Sequence, residues 1–294
     1  MKKFIEVIVW IINKVSRNTK LLITAEDEFP EGLAQFKAAT WKTYTAASGS
    51  YGLTSPGDNS VPKLWANYAA FLNQAWYEDG LIAWKNLAWR SEPSFKTAYS
   101  SAEEQAGVDY HISWRTHVAL WAADLASCAA GNFVELGTGR GWMASAILSS
   151  GVVKEDVKFF LFDTFDIHNV DSNSGNRLTT QSPVYAESPA VLNTLINRFP
   201  NVVPIVGNVL DTVGPNLSTI QKIAFLHVDL NAAIPEEESF RKLFPLLSSG
   251  SVVLLDDYGF LGLESQRDSW DHLAKEFSFN IMSLPTGQGL FVIC

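Results

Sequence analysis

Between Phe133 and Leu255 the chain carries five short, nearly unbroken apolar runs: Phe133–Leu136, Val157–Phe162, Val202–Val206, Ile223–Val228 and Ser251–Leu255. A strand wetted on one face alternates apolar and polar residues, whereas a strand buried on both faces does not. Stretches of helical spacing separate the runs. His111–Ala130, with Val118, Leu120, Trp121, Leu125 and Ala129, leads into the first run as a helix, and another helix starts at about Met143. Strands and helices that alternate in this way predict a doubly wound α/β domain with a mostly parallel sheet. The last stretch differs. Phe279–Leu284 and Leu290–Ile293 flank Pro285-Thr-Gly-Gln-Gly289 and read as a closing hairpin.

The first hundred or so residues follow another pattern. Six of the ten tryptophans lie there, and Ala46–Pro62 is a Ser-, Gly-, Pro- and Asp-rich loop. From Lys63 onward Trp65, Tyr68, Phe71, Leu72 and Trp76 recur at helical spacing; Gly80 ends that helix, and Leu81–Trp89 reads as a second short one. We therefore divide the chain into residues 1–105, a helical, aromatic-rich cap or dimerisation region, and residues 106–294. The aromatic stripe suits a core more than a platform for a flat acceptor. At the N-terminus Met1–Lys3 is basic and Phe4–Ile12 is apolar apart from Glu6. That run falls short of the ~20 residues of a membrane span, and Asn13–Lys20 offers no small-residue cleavage site. It reads as an amphipathic helix packed on the body or on a partner subunit, with interfacial membrane attachment as the alternative.

A chain of 294 residues with 47% apolar residues can bury a sizeable core. Its formal charge of −9 disfavours a nucleic-acid sleeve. Its two cysteines, Cys128 and Cys294, form no CxxC, which argues against a disulfide scaffold or a Cys-based zinc site and suits a reducing cytoplasm.

Ligands of open α/β sheets sit outside the carboxyl ends of the strands, so the residues that follow each run matter most. The first run ends in Glu135-Leu-Gly137-Thr-Gly139-Arg-Gly141-Trp. Glycines there allow a sharp turn and close approach of a ligand to the backbone. The dinucleotide fingerprint needs glycine at position 142, where this chain has Trp142, which disfavours a nicotinamide oxidoreductase. After the second run stands Asp163, 22 residues past Gly141 and close to the ~20 at which an acid accepts hydrogen bonds from ribose hydroxyls; the plainer reading is a cap on Thr164-Phe165-Asp166. Asp229 follows the fourth run, and Asp256 and Asp257 follow the fifth. Three carboxylates at neighbouring strand ends need neutralising, and oxygen-only ligands suit Mg²⁺; the plainer reading has one facing solvent and another capping a helix. His227, inside the fourth run, reads as a hydrogen-bonded core residue rather than a base. HExxH, G-x-S-x-G and GKS/T motifs are absent from the sequence.

Glu135-Leu-Gly-Thr-Gly-Arg-Gly141 resembles the first motif of class I S-adenosylmethionine (SAM)-dependent methyltransferases. Leu161-Phe-Asp-Thr-Phe165, Leu226-His-Val-Asp-Leu230 and Leu254-Leu-Asp-Asp-Tyr-Gly259, in that order, resemble the macrocin-type sugar O-methyltransferases over about residues 110–294. The resemblance implies a Rossmann-like seven-stranded sheet whose last strand is antiparallel. It implies that Glu135, Gly137, Thr138, Gly139 and Gly141 cradle the methionine part of SAM, that Asp163 binds its ribose, and that Gly207 and Asn208 lie near its adenine. Arg115 and His117 are weaker candidates for its carboxylate. Asp229, Asp256 and Asp257 match the positions that hold Mg²⁺, with Asp229 and Asp257 as catalytic groups. The related enzymes carry a second acid two positions after the first; here that position is Asn231, and an amide is no base at neutral pH. The expectation is a cytoplasmic O-methyltransferase for a small-molecule or sugar acceptor, Mg²⁺-assisted, with Asp166–Tyr185 as a lid and the N-terminal region completing the acceptor pocket or a homo-oligomer contact. The alternative, prompted by Asn231, is a non-catalytic SAM-binding module in a biosynthetic complex.

Overall fold

The computed structural model of the chain describes residues 76–79, 81–83, 87–165 and 188–294. The chain forms two compact units, Met1–Asn86 and Leu87–Cys294. In the first, β1 (Trp76–Glu78) and β2 (Leu81–Ala83) pair antiparallel, Tyr77 opposite Ile82. This corrects the helix expected over Leu81–Trp89: three apolar residues are too few for a period to distinguish helix from strand. The expected lid, the aromatic stripe before Trp76 and the N-terminal amphipathic helix lie outside the described residues.

The second unit opens with α1 (Pro93–Ala106), which starts on proline at its first turn and ends on Gly107 in the left-handed region. Next come α2 (Ser113–Ala126), β3 (Asn132–Leu136), α3 (Trp142–Ser149) and β4 (Phe159–Asp163). After them follow α4 (Ser188–Arg198), β5 (Val202–Val206), α5 (Val209–Ile220), β6 (Ile223–Val228) and α6 (Ala233–Leu243). The unit closes with β7 (Leu247–Leu255), α7 (Glu264–Phe277), β8 (Met282–Ser283) and β9 (Gly289–Val292). The seven-stranded sheet runs β5-β4-β3-β6-β7-β9-β8. The five strands from β5 to β7 are parallel, and β9 inserts antiparallel between β7 and β8.

The unbroken apolar runs have a direct cause in the packing. Alternate residues of one strand point to opposite faces. Phe133, Phe159, Leu161, Phe225, Val252 and Leu254 join one core, with alanines of α1, α2 and α3. Val134, Phe160, Phe162, Leu226, Val253 and Leu255 join the other, with Val213, Phe240, Trp270 and Leu273 from α5, α6 and α7. Each buried Phe or Leu contributes roughly 1.5–3 kcal/mol. On the first face, Ala98, Ala102 and Ala106 let α1 lie close on α3, where the Ser101 and Ser145 hydroxyls meet at 2.8 Å.

Candidate active site

The order of strands lines up the candidate residues along the carboxyl edge of the sheet. From β5 to β7 the strand ends present Gly207, Asp163, the Gly137–Gly141 bend, Asp229 and Asp256. The bend is built by three left-handed glycines: Gly137 at φ 86°, Gly139 at φ 53° and Gly141 at φ 78°, a region that costs other residues strain. The Gly137 N–H donates to the Phe162 carbonyl at 2.8 Å, and the Gly141 N–H to the Thr138 carbonyl at 2.8 Å. Trp142, where a dinucleotide fingerprint has glycine, turns inward: its Nε1 donates to Thr116 Oγ1 at 3.0 Å and its ring packs on Tyr99 and Tyr110. It thereby ties the start of α3 to α2.

Gly139 and Asp163 meet directly, with the Gly139 N–H donating to Asp163 Oδ2 at 2.7 Å. The other carboxylate oxygen accepts from the Phe165 N–H at 2.9 Å, so the cap reading of Asp163 also holds. The Gly207 N–H donates to the Asp163 carbonyl at 2.9 Å, which places the β5 end beside the same tip. The Asn208 side chain accepts from the Leu210 N–H at 3.0 Å and caps α5. Thr138 is buried in the bend.

Glu135 is buried beside the bend, within electrostatic reach of Thr138 and Asp163. It sits on the first face of the sheet, 1% exposed, opposite His227 in register. A polar row crosses the sheet there. His227 Nδ1 lies 2.9 Å from Glu135 Oε1, His227 Nε2 lies 3.7 Å from Asp256 Oδ1, and Gln288 Nε2 donates to Asp256 Oδ1 at 2.9 Å. Burial alone would lower the His227 imidazole, but Asp256 and Glu135 lift it to about 10. His227 is thus a buried ring held between two acids, and the core reading is the one the geometry supports.

Asp229, Asp256 and Asp257 do come together. Burial, then the Asp256 and Asp257 charges, push the Asp229 carboxyl well above the ordinary range. Burial and Asp256 push Asp257 up to about 6. Burial opposes ionisation of Asp256 too, yet Arg115, followed by His227 and Gln288, holds that carboxyl below the ordinary range. The cation beside the pair is Arg115, from the first turn of α2. Its Nη2 donates to Asp257 Oδ1 at 2.8 Å and to the Asp256 carbonyl at 3.1 Å, its Nε donates to Asp256 Oδ1 at 3.3 Å, and Nη2 also pairs with Asp256 Oδ2.

This corrects two expectations. Arg115 turns to the aspartates rather than to a SAM carboxylate, and His117 stacks on Trp89 at 4.1 Å in an aromatic cluster with Trp114 and Phe95. Nor do the three aspartates fit Mg²⁺. Both Asp256 oxygens and Asp257 Oδ1, which an ion would draw to ~2.1 Å, already accept from the Arg115 guanidinium, and among the described residues no His, Cys, Asp or Glu group is arranged to hold a metal. Asn231, left-handed at φ 55°, donates from Nδ2 to Asp229 Oδ1 at 3.2 Å. The sequence reading missed Gln288 and the pairing of Arg115. The donor-rich Gln288 beside the hairpin glycines was the available signal for the first.

A family model described as a methyltransferase domain matches residues 134–258. No curated protein matches the chain. Among solved structures, the O-methyltransferase NovP is 19% identical, with a TM-score of 0.50 over 60% of this chain and 78% of its own. The calicheamicin methyltransferase CalS11 is 16% identical, with a TM-score of 0.51 over 90% of this chain and 93% of its own. The O-methyltransferase TomG of Streptomyces achromogenes, solved with SAM, is 16% identical over 71% of this chain and 96% of its own, with a TM-score of 0.48. Both of the first two share the fold described above, in which the matched segment runs from β3 through the glycine bend to the paired aspartates after β7. Residues 134–258 thus match a methyltransferase domain, and they lie on a seven-stranded Rossmann-like sheet of the kind NovP and CalS11 share.

Proposed function

We propose that the chain transfers the methyl group of SAM to a hydroxyl of a small-molecule or sugar acceptor. The observation that carries this reading is the 2.7 Å contact between Gly139 and Asp163, which brings the glycine bend and an acid together at adjacent strand tips, with carboxylates of raised pKa one and two strands further along, Asp229 after β6 and Asp257 after β7. The CalS11 enzyme, described as a TDP-rhamnose 3'-O-methyltransferase in its apo structure, motivates the sugar as acceptor.

The bend fits a nucleoside with a sulfur-bearing tail. Its positive-φ glycines leave backbone rather than side chain toward the ligand, and Asp163 offers a ribose two acceptor oxygens. SAM supplies a methyl group already activated on a sulfonium. What remains for the protein is to hold the acceptor oxygen in line with that methyl carbon as the new O–C bond forms and the S–C bond breaks, a gain of proximity and orientation. One of the Asp229–Asp257 pair takes the single hydroxyl proton, because a carboxylate pushed above its ordinary range is a stronger base while ionised.

Calorimetric titration with SAM and S-adenosylhomocysteine, followed by methyl transfer to a panel of sugar nucleotides, glycosides and phenols, tests the reading. Binding with transfer to at least one hydroxyl is expected. Absence of binding at millimolar SAM would refute it. Tight binding without transfer across the panel would favour a non-catalytic SAM-binding module, the reading that Asn231 motivates.

A further inference from the structure

We propose that Arg115 is a built-in substitute for a divalent cation at the paired strand-end aspartates, so that this site neither binds nor needs a metal ion. The metal part of the proposal stands on the geometry alone; only the extension to methyl transfer rests on the function proposed above.

Charge accounting requires a cation. Asp256 and Asp257 are 5% and 8% exposed, and Asp229 lies beside them. Like charges crowded out of water must be protonated or neutralised. Arg115 neutralises them with directed bonds to both side chains and to the Asp256 carbonyl. The fit is that of a socket. The Arg115 side chain is 11% exposed, and its guanidinium stands 4.9 Å over the Phe260 ring. The helix that carries it is fixed: Ala119, Ala122 and Ala123 of α2 are fully buried, and Thr116 takes the Trp142 bond. The far side of Asp256 is closed by Gln288 at 2.9 Å and by the His227 ring.

A metal ion and this guanidinium cannot share the oxygens. A hard cation demands carboxylate oxygens at ~2.1 Å in near-octahedral array, and Asp257 Oδ1 and both Asp256 oxygens are pointed at Arg115. The two devices also differ in chemistry. A bound cation lowers the pKa of an oxygen it coordinates. A guanidinium stays protonated and offers only hydrogen bonds in a fixed fork. Arg115 is therefore a positioning residue that holds Asp257 in place, and the proton of the acceptor has to be taken by the carboxylates.

The test uses the full chain, stripped with EDTA and desalted, and Mn²⁺ as the probe. Calorimetry and water-proton relaxation read binding, and a thermal melt with and without Mn²⁺ reads stability. The wild type is expected to show no saturable Mn²⁺ binding up to millimolar concentration and an unchanged melting temperature. Arg115→Met uncovers the carboxylates and is expected to gain saturable Mn²⁺ binding, at least tenfold tighter than the wild type, with a higher melting temperature in Mn²⁺. Sub-millimolar Mn²⁺ binding by the wild type that Asp257→Asn abolishes would overturn the proposal. So would a folded Arg115→Met chain with no gain. If Arg115→Met does not fold, the wild-type titration alone decides. SAM titration in EDTA is read separately, so loss of the methyltransferase reading leaves this result standing and the reverse.

Discussion

Gly137→Ala places a methyl group where the backbone leaves no room. A Cβ built on Gly137 would stand 1.9 Å from the Asp229 carbonyl oxygen and 2.6 Å from its carbon. Those atoms are backbone, fixed because the Asp229 N–H donates to the Leu136 carbonyl at 2.8 Å. The substitution therefore pries apart β3 and β6 at their carboxyl ends. Its φ of 86° adds the left-handed penalty, about 1–2 kcal/mol, and overpacking adds about 1–3 kcal/mol. At 2–4 °C per kcal/mol for a domain of this size, the melt should fall by roughly 5–15 °C. Gly151→Ala separates the two contributions, since Gly151 has a φ of 79° with nothing within 4 Å of its Cβ. It should lose only the conformational part, about 1–2 kcal/mol. Melting of both variants by near-ultraviolet circular dichroism, with SAM affinity measured alongside, gives the comparison. Gly137→Ala should melt lower and bind SAM less well than Gly151→Ala. A Gly137→Ala chain that melts at or above Gly151→Ala would refute the steric argument.

Asp163→Ala removes the acceptor of the Gly139 N–H and the acid at the ribose position; SAM affinity should fall roughly ten- to a hundredfold, about 1.5–3 kcal/mol for charge-assisted bonds, and unchanged calorimetric affinity would count against the ribose assignment. Glu236, 3% exposed and bonded to Gln266 at 2.6 Å and Trp270 at 2.8 Å, is pushed by burial up to about 7 from an ordinary value near 4.5. The native state then keeps a proton that the unfolded chain releases, so the associated stability is present below about 4.5 and is lost as pH rises through about 7, by at most about 1.4 kcal/mol per pH unit. Glu236→Gln should flatten this slope in urea unfolding between pH 5 and 8, with Gln266 turning its amide oxygen to the new donor; an unaltered slope would remove Glu236 as its source. Cys128 and Cys294 are both exposed and free, so a colorimetric thiol reagent should titrate two thiols in the folded chain, and fewer without denaturant would contradict their exposure.

The parts of the fold that were legible are those where local pattern and burial agree. The runs Phe133–Leu136, Val202–Val206 and Ile223–Val228 coincide with β3, β5 and β6, within a residue, because two buried faces leave no polar positions to confuse the pattern. Leu247–Gly250, the start of β7, escaped notice: Ser248, Ser249 and Gly250 carry no apolar signal and lie where the β6–β7 register shifts between Leu247 and Val252. The hairpin was visible from its glycine turn, but β8 is two residues long rather than the six of Phe279–Leu284. The glycine bend and Asp163 could be paired from spacing because they follow adjacent strands of one β-α-β unit. Arg115 could not be assigned that way. It stands 141 residues from Asp256, and the pattern of α2 gives a buried stripe without saying which strand end its first turn reaches. The expectation of a metal followed from counting acids without being able to count the cation that faces them.

The ionic row inside the sheet bears on how the strands find their alignment. A parallel pair of hydrocarbon strands can slide by two residues and keep every side chain on its own face, so packing alone discriminates weakly between the two threadings. Such a slide of β6 against β3 would bring Phe225 or Asp229 beside Glu135 in place of His227, stranding an acid in an oily layer or doubling its charge. The His227 ring wedged between Glu135 and Asp256 acts as a dowel through three planks, admitting one threading of β3, β6 and β7. Only that threading brings the glycine bend level with the acids that face the acceptor.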